Sequence, residues 1–201
     1  MIAAGRDHVE GPAGRLEVAV ADPGSGRRGI ALFAHPHPLH GGTLDNKVVQ
    51  TLAKAFFSLD YAAVRLNFRG VGGSEGVFDD GRGEIEDVMA VARYARERFG
   101  AMDLALAGFS FGAYVAAQAA RSLHPAKLLL VAPAVNLYTM PSVQGATLVV
   151  HGEDDDVVPL KEVLAWARPQ QLPVTVLPGA GHFFHGMLVP LRELVQRCLG
   201  G

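Results

Sequence analysis

The sequence predicts an α/β protein built on a mostly parallel, doubly wound sheet. Apolar strand-like runs alternate with helix-like segments from about residue 29 onward, the pattern of repeated strand–helix crossovers. The middle runs are apolar throughout, as strands covered on both faces are. Two loops are long, 35–45 and 69–83. Both follow the C-terminal end of a predicted strand, where open α/β sheets place their ligand sites.

In chain order, LEVAV (16–20) alternates weakly and is the first predicted strand. ADPGSGRRG (21–29) is short enough to be a hairpin turn. GIALFA (29–34) is a buried strand, followed by the first long loop, HPHPLHGGTLD. A helix is expected over 46–59, where Val49, Leu52, Ala53 and Phe56 fall on one stripe. YAAVRLNF (61–68) is the next strand, and RGVGGSEGVFDDGRG is the second long loop. Residues 83–100 carry an acidic first turn, a basic last turn and Gly100 as a stop, which suits the helix dipole. The strand LALAG (104–108) leads through a Gly-Ser turn into a helix over 111–123. After KLLLVAP (127–133), the segment 134–145 is too short to fold into a lid, so no cap domain is expected. ATLVVHG (146–152), a helix over 160–168, VTVLPG (174–179) and a helix over 185–199 complete the set. Pro190 should kink or delay the last helix.

The chain has 201 residues, which suggests a single domain over 1–201. A chain of this length hides roughly 70% of its unfolded surface. A formal charge of −2 gives no basic footprint for nucleic acid or an anionic membrane. The single cysteine, Cys198, permits no internal disulfide, consistent with a reducing compartment. MIAAGRDHVEGPAGRLEV places charges where a signal peptide needs an apolar core, and no apolar run is long enough to span a bilayer. The expected setting is cytoplasmic.

The chemistry centres on GFSFG (108–112), a match to G-x-S-x-G. It follows an apolar strand and opens a helix, the context in which a tight turn lifts a serine above the sheet. Ser110 is then a nucleophile; the alternative is an ordinary Gly-Ser turn. A serine hydroxyl needs a base, and the base needs an orienting acid. On such a sheet they arrive in the order serine, acid, histidine. LVVHGEDDDVVP (148–159) puts an acidic cluster at a strand tip, and VTVLPGAGHFF (174–184) trails a Gly-rich turn carrying His182.

These motifs resemble the α/β-hydrolase superfamily, and within it the small lidless bacterial serine hydrolases related to dienelactone hydrolase. GFSFG, HGEDDDVVP and GAGHFF carry the resemblance. AHPHPLHGGTLDNKVV and LNFRGVGGSEGVFDDGRGEIED look similar to the smaller branch, and the likeness covers about residues 15–199. It implies an α/β-hydrolase fold without a cap. The family's H-G-x-x-D-x-x-V-P pattern places the acid at Asp155, with Asp154, Asp156 and, more distantly, Glu153 as alternatives. Its G-x-G-H position falls on His182, with His185 as a neighbour or decoy.

An oxyanion needs prepaid donors. The first expected donor is the amide of Phe111, which follows the nucleophile. For the second, relatives carry His-Gly and then the donor, whereas this chain has His35-Pro36. Pro36 and Pro38 have no N–H, so the His37 amide is expected, with Leu39 as fallback. His35 is expected to brace the loop. A metal site on His35, His37 and His40 is the rival, but the flanking prolines make a three-histidine cage hard to form.

RGVGGSEG (69–76) fails both phosphate-loop patterns, because Glu75 stands where the dinucleotide fingerprint needs glycine and no Lys-Ser/Thr follows. The resemblance implies that Arg69 and Ser74 pack beneath the catalytic residues. Tyr138, Met140, Trp166, Phe183 and Phe184 are either acyl-pocket lining or core. The resulting expectation is a serine hydrolase cleaving a small acyl ester or thioester through an acyl-enzyme, with no cofactor or metal. The expected partner is a small-molecule acyl substrate, and a homodimer is left open. The rivals are a peptidase or amidase of the same fold, a non-catalytic binding protein and a metal-dependent hydrolase on the histidine loop.

Overall fold

A computed structural model describes residues 5–143 and 146–200. Its sheet has eight strands: β1 (Gly5–Gly11), β2 (Gly14–Ala21), β3 (Gly29–Ala34), β4 (Tyr61–Leu66), β5 (Leu104–Phe109), β6 (Lys127–Val131), β7 (Thr147–Gly152) and β8 (Val174–Leu177). The order across the sheet is β1-β2-β4-β3-β5-β6-β7-β8. β1 and β2 form an antiparallel hairpin, β2 runs antiparallel to β4, and the pairings from β4 to β8 are parallel.

Two findings depart from the expected strands and turns. β1 is an added strand, closed by a two-residue loop of Pro12 and Ala13 between the paired Gly11 and Gly14. Segment 21–29 is not a hairpin turn, because β4 lies between β2 and β3. It crosses the end of β4 instead, and the Arg28 N–H donates to the carbonyl of Asp60, the residue before that strand (2.7 Å).

Five helices cover the sheet: α1 (Lys47–Phe57), α2 (Arg82–Phe99), α3 (Phe111–Leu123), α4 (Leu160–Ala167) and α5 (Leu188–Leu199). α1 starts where Asn46 caps it, its side chain accepting from the Val48 and Val49 N–H groups. α5 starts three residues later than the pattern suggested, and Pro190 lies in its first turn, where a missing N–H costs nothing.

β5 shows how the core is divided. Leu104 and Leu106 face α2 and α3, packing with Val91 and Val115. Ala105, Ala107 and Phe109 face α1 and α5, packing with Phe56 and Leu191. Side chains alternate across the sheet with period two, so each strand feeds both layers. Each fully buried Leu or Phe contributes about 2 kcal/mol. Because β3 to β8 are parallel, the loops after all of them meet at one edge. Segment 134–143 forms neither helix nor strand, and residues 144–145 of the expected uncapped segment lie outside the described residues. No helix among the described residues is long and apolar enough to cross a membrane.

Candidate active site

Ser110 is the link between β5 and α3, at φ +57° and ψ −118°. A non-glycine residue rarely adopts that conformation and holds it only where its surroundings enforce it. Here close packing does so. A Cβ at Gly108 would run into the carbonyl of Gly112, and one at Gly112 into the carbonyls of Ala34 and His35. The Ser110 N–H donates to the Val131 carbonyl of the neighbouring strand (2.9 Å), which fixes the turn from the other side.

The loops that carry Asp155 and His182 are stapled together. The Glu153 and Asp154 N–H groups donate to the carbonyls of Leu177 and Ala180, and the Gly179 N–H donates to Glu153 Oε2 (3.0 Å). Gly152 has no room for a Cβ beside the Ala180 carbonyl. This brings Asp155 against His182. Asp155 Oδ2 lies 2.7 Å from His182 Nδ1, and His182 Nε2 lies 3.1 Å from Ser110 Oγ. All three side chains are buried.

Asp155 Oδ1 accepts from the N–H groups of Val157 (3.0 Å) and Val158 (2.7 Å). Burial pushes the Asp155 carboxyl up, but the hydrogen bonds from His182 and Val158 outweigh it and hold the group below its usual range. An ionised carboxylate only accepts, so His182 Nδ1 carries the hydrogen. Nε2 is left bare to accept from the Ser110 hydroxyl. Of the other acidic candidates, Glu153, Asp154 and Asp156 are exposed. His185 is exposed too, stacked on Phe183 rather than joining the cluster.

His151 was not foreseen. It is fully buried at the end of β7, with Nε2 2.8 Å from the Val158 carbonyl and 3.5 Å from Asp155 Oδ2. Burial depresses its pKa. It therefore helps set the turn whose amides hold Asp155. Its position at the head of HGEDDDVVP was the available signal.

The loop after β3 lies beside Ser110. His35 is buried. Its Nδ1 donates to the Pro36 carbonyl (2.6 Å) and its Nε2 accepts from the Phe68 N–H (3.1 Å). Burial pulls its pKa down to about 4. The His37 carbonyl accepts from the Gly42 (3.0 Å) and His40 (3.1 Å) N–H groups, and Gly42 is packed where a Cβ would strike the Pro36 carbonyl. The Leu39 N–H is spent on His37 Nδ1 (3.2 Å), which removes the fallback donor. Phe111 opens α3, so its N–H has no intrahelical partner. Among the described residues nothing accepts from the N–H of Phe111 or of His37. The three-histidine cluster does not form, since both ring nitrogens of His35 are used by its own surroundings. Among the described residues no group of three His, Cys, Asp or Glu side chains is placed to hold a metal.

Arg69 and Ser74 bond not to Ser110, Asp155 or His182 but within the second long loop's own surroundings, Arg69 tying that loop to α2 and Ser74 tying it to β2. The Arg69 guanidinium forks onto the buried Asp87 (2.8 and 3.1 Å), and Gly83 leaves it room. Ser74 Oγ donates to the Asn67 carbonyl and accepts from the Glu17 N–H (2.8 Å each). Asn67 Oδ1 in turn accepts from the Leu44 N–H (2.7 Å), tying the second long loop to the first. Of the apolar candidates, Phe184 is core and Trp166 is half-buried, its Nε1 donating to the Pro141 carbonyl. Met140 packs on the core, while Tyr138 and Phe183 approach His37 and His182.

The family model described as serine aminopeptidase, S33 (Hydrolase_4), matches residues 37–146, which include His37 and Ser110. An uncharacterized protein of Rickettsia prowazekii is 34% identical over 192 residues, covering 88% of this chain and 81% of that protein. A lidless α/β serine hydrolase from Xanthomonas campestris superposes with a TM-score of 0.93 at 37% identity, covering 99% of this chain and 94% of that one. An α/β serine hydrolase homologue from Coxiella burnetii gives 0.91 at 44% identity, covering 97% of each chain. With this sheet order, the strained serine between β5 and α3 and these relatives, the chain belongs to the α/β-hydrolase superfamily, in the family described as serine aminopeptidase, S33.

Proposed function

We propose that this serine hydrolase cleaves a small acyl ester or thioester through an acyl-enzyme. The observation that carries the reading is the unbroken chain from Ser110 Oγ to His182 Nε2 and from His182 Nδ1 to Asp155 Oδ2, at 3.1 and 2.7 Å. Ser110 attacks the acyl carbon as His182 takes its proton. The tetrahedral oxyanion is held by the amides of Phe111 and His37. His182 then returns the proton to the leaving group. Water, deprotonated by His182, attacks the acyl-enzyme and frees the acid and the serine. Asp155 stays ionised and stabilises the imidazolium. The substrate is a small molecule met in the cytoplasm, and the mechanism calls on no cofactor.

Ser110→Ala should lower kcat for a short p-nitrophenyl ester by about 10⁴-fold or more while leaving the unfolding free energy from urea titration within about 1 kcal/mol. Retention of full turnover by that variant would refute the mechanism. The family description favours a second reading, amide cleavage by the same residues. Turnover of aminoacyl p-nitroanilides faster than of the matching esters would select it.

A further inference from the structure

Single exposed apolar side chains are ordinary on a protein surface. Here five of them share one edge. Leu39, Val77, Leu137, Val157 and Phe183 are between 41% and 77% exposed. They come from five different loops, those after β3, β4, β6, β7 and β8. Each loop ends beside the reacting groups. The Leu39 N–H is bound to the His37 ring, and Val77 precedes Phe78, whose ring centre is 4.9 Å from that of His37. The Val157 N–H is held by Asp155, and the Val157 carbonyl accepts from Asn136 Nδ2 (3.0 Å), next to Leu137. The Phe183 ring lies 5.1 Å from the His182 ring.

The exposed, unpaired formal charge on the same loops has one sign. Asp80, Glu153, Asp154 and Asp156 are exposed, and among the described residues none of them is in an ion pair; Asp79 is paired with Arg82. An apolar rim set with carboxylates favours an uncharged hydrocarbon and repels an anionic one.

We propose that this rim binds the hydrocarbon part of the substrate, and that the preferred substrate is an uncharged ester or thioester with a medium-length apolar acyl chain. The inference rests on the serine hydrolase reading above and adds the substrate class. With no cap, a chain lying on the rim is only half-buried. Each added methylene then improves kcat/KM by about twofold, half the logarithmic gain of full burial.

The test is a series of p-nitrophenyl esters (acetate, butyrate, hexanoate and the monoester of hexanedioic acid), each kept below its aggregation limit. From acetate to hexanoate, four methylenes apart, kcat/KM should rise about sixteenfold, and the anionic hexanedioate should fall about tenfold below hexanoate. The Leu137→Ser/Val77→Ser double variant should lose most of the rise from acetate to hexanoate while its urea unfolding stays close to that of the wild type. A flat profile in the wild type, or an unchanged rise in the double variant, overturns the inference and leaves the serine hydrolase reading standing. If no ester is cleaved and Ser110 takes no fluorophosphonate, the reading fails and the inference falls with it.

Discussion

Ser110 sits in a backbone conformation that costs on the order of 1–3 kcal/mol. Glycine would relieve it, so the hydroxyl is kept at a stability cost that its neighbours offset. That argues for a chemical use of the side chain. Asp155 has a complementary arrangement, with two backbone amides on one oxygen and the imidazole on the other. Asp155→Asn would present an amide to Nδ1 and invite the wrong tautomer, so kcat should fall about 10³- to 10⁴-fold. Ester turnover by the purified variant checks this, and a loss below tenfold would remove Asp155 from the mechanism. At this scale the sequence was informative because the motifs combine a residue type with a required turn. Asp155 could be picked from four adjacent acids only by a family pattern. The structure separates them by burial, which a run of identical charges cannot reveal. The only sign of His151 in the sequence is its place at the head of HGEDDDVVP, and that place does not say what the ring binds.

Among the elements, the junction of β5 with α3 is governed by backbone contact. Gly112 touches the carbonyls at the end of β3, so the first turn of α3 is pressed onto the strand that leads into the His37 loop. Gly112→Ala should cost about 3 kcal/mol and displace Ser110. Gly179→Ala, with φ +67° but open space around it, should cost only about 1 kcal/mol. Urea unfolding of both variants makes the comparison, and equal losses would show that contact does not set the turn. The parallel strands were legible because burial on both faces makes them apolar along their whole length. β1 was not, because GRDHVEG buries only Val9 and is held by its ladder to β2 and by Asp7, which accepts from Tyr94 and Arg98. Segment 21–29 was misread for a related reason. Gly and Pro mark a change of direction but do not say which strand comes next.

For the whole molecule, acid stability follows from the buried histidines. His35, at about 4, and His151, also lowered, are held neutral in the fold and gain protons on unfolding. Depressed folded values mean that this stability is complete above the ordinary histidine pKa of about 6.5 and is lost as pH falls from there toward 4. His35 alone should account for about 2 kcal/mol between pH 7 and pH 5. Asp155, also depressed, adds a loss below the usual carboxylate range, again as pH falls. Urea unfolding at the two pH values should show the decline, and His35→Asn should flatten it by about 2 kcal/mol; an equal slope in the variant would count against the account. The parallel order of β3 to β8 is also what brings the loops of the proposed site to one edge. The first long loop, the serine turn, the acid turn and the histidine turn are far apart in sequence and meet there only through that order.

The central claim is that Ser110 is activated by His182. The most direct measurement is labelling of the purified protein with a fluorophosphonate, read by intact mass and peptide mapping. The account predicts one adduct, on Ser110, that disappears in His182→Ala. A folded wild-type protein that takes no adduct, or takes it on another residue, would contradict it.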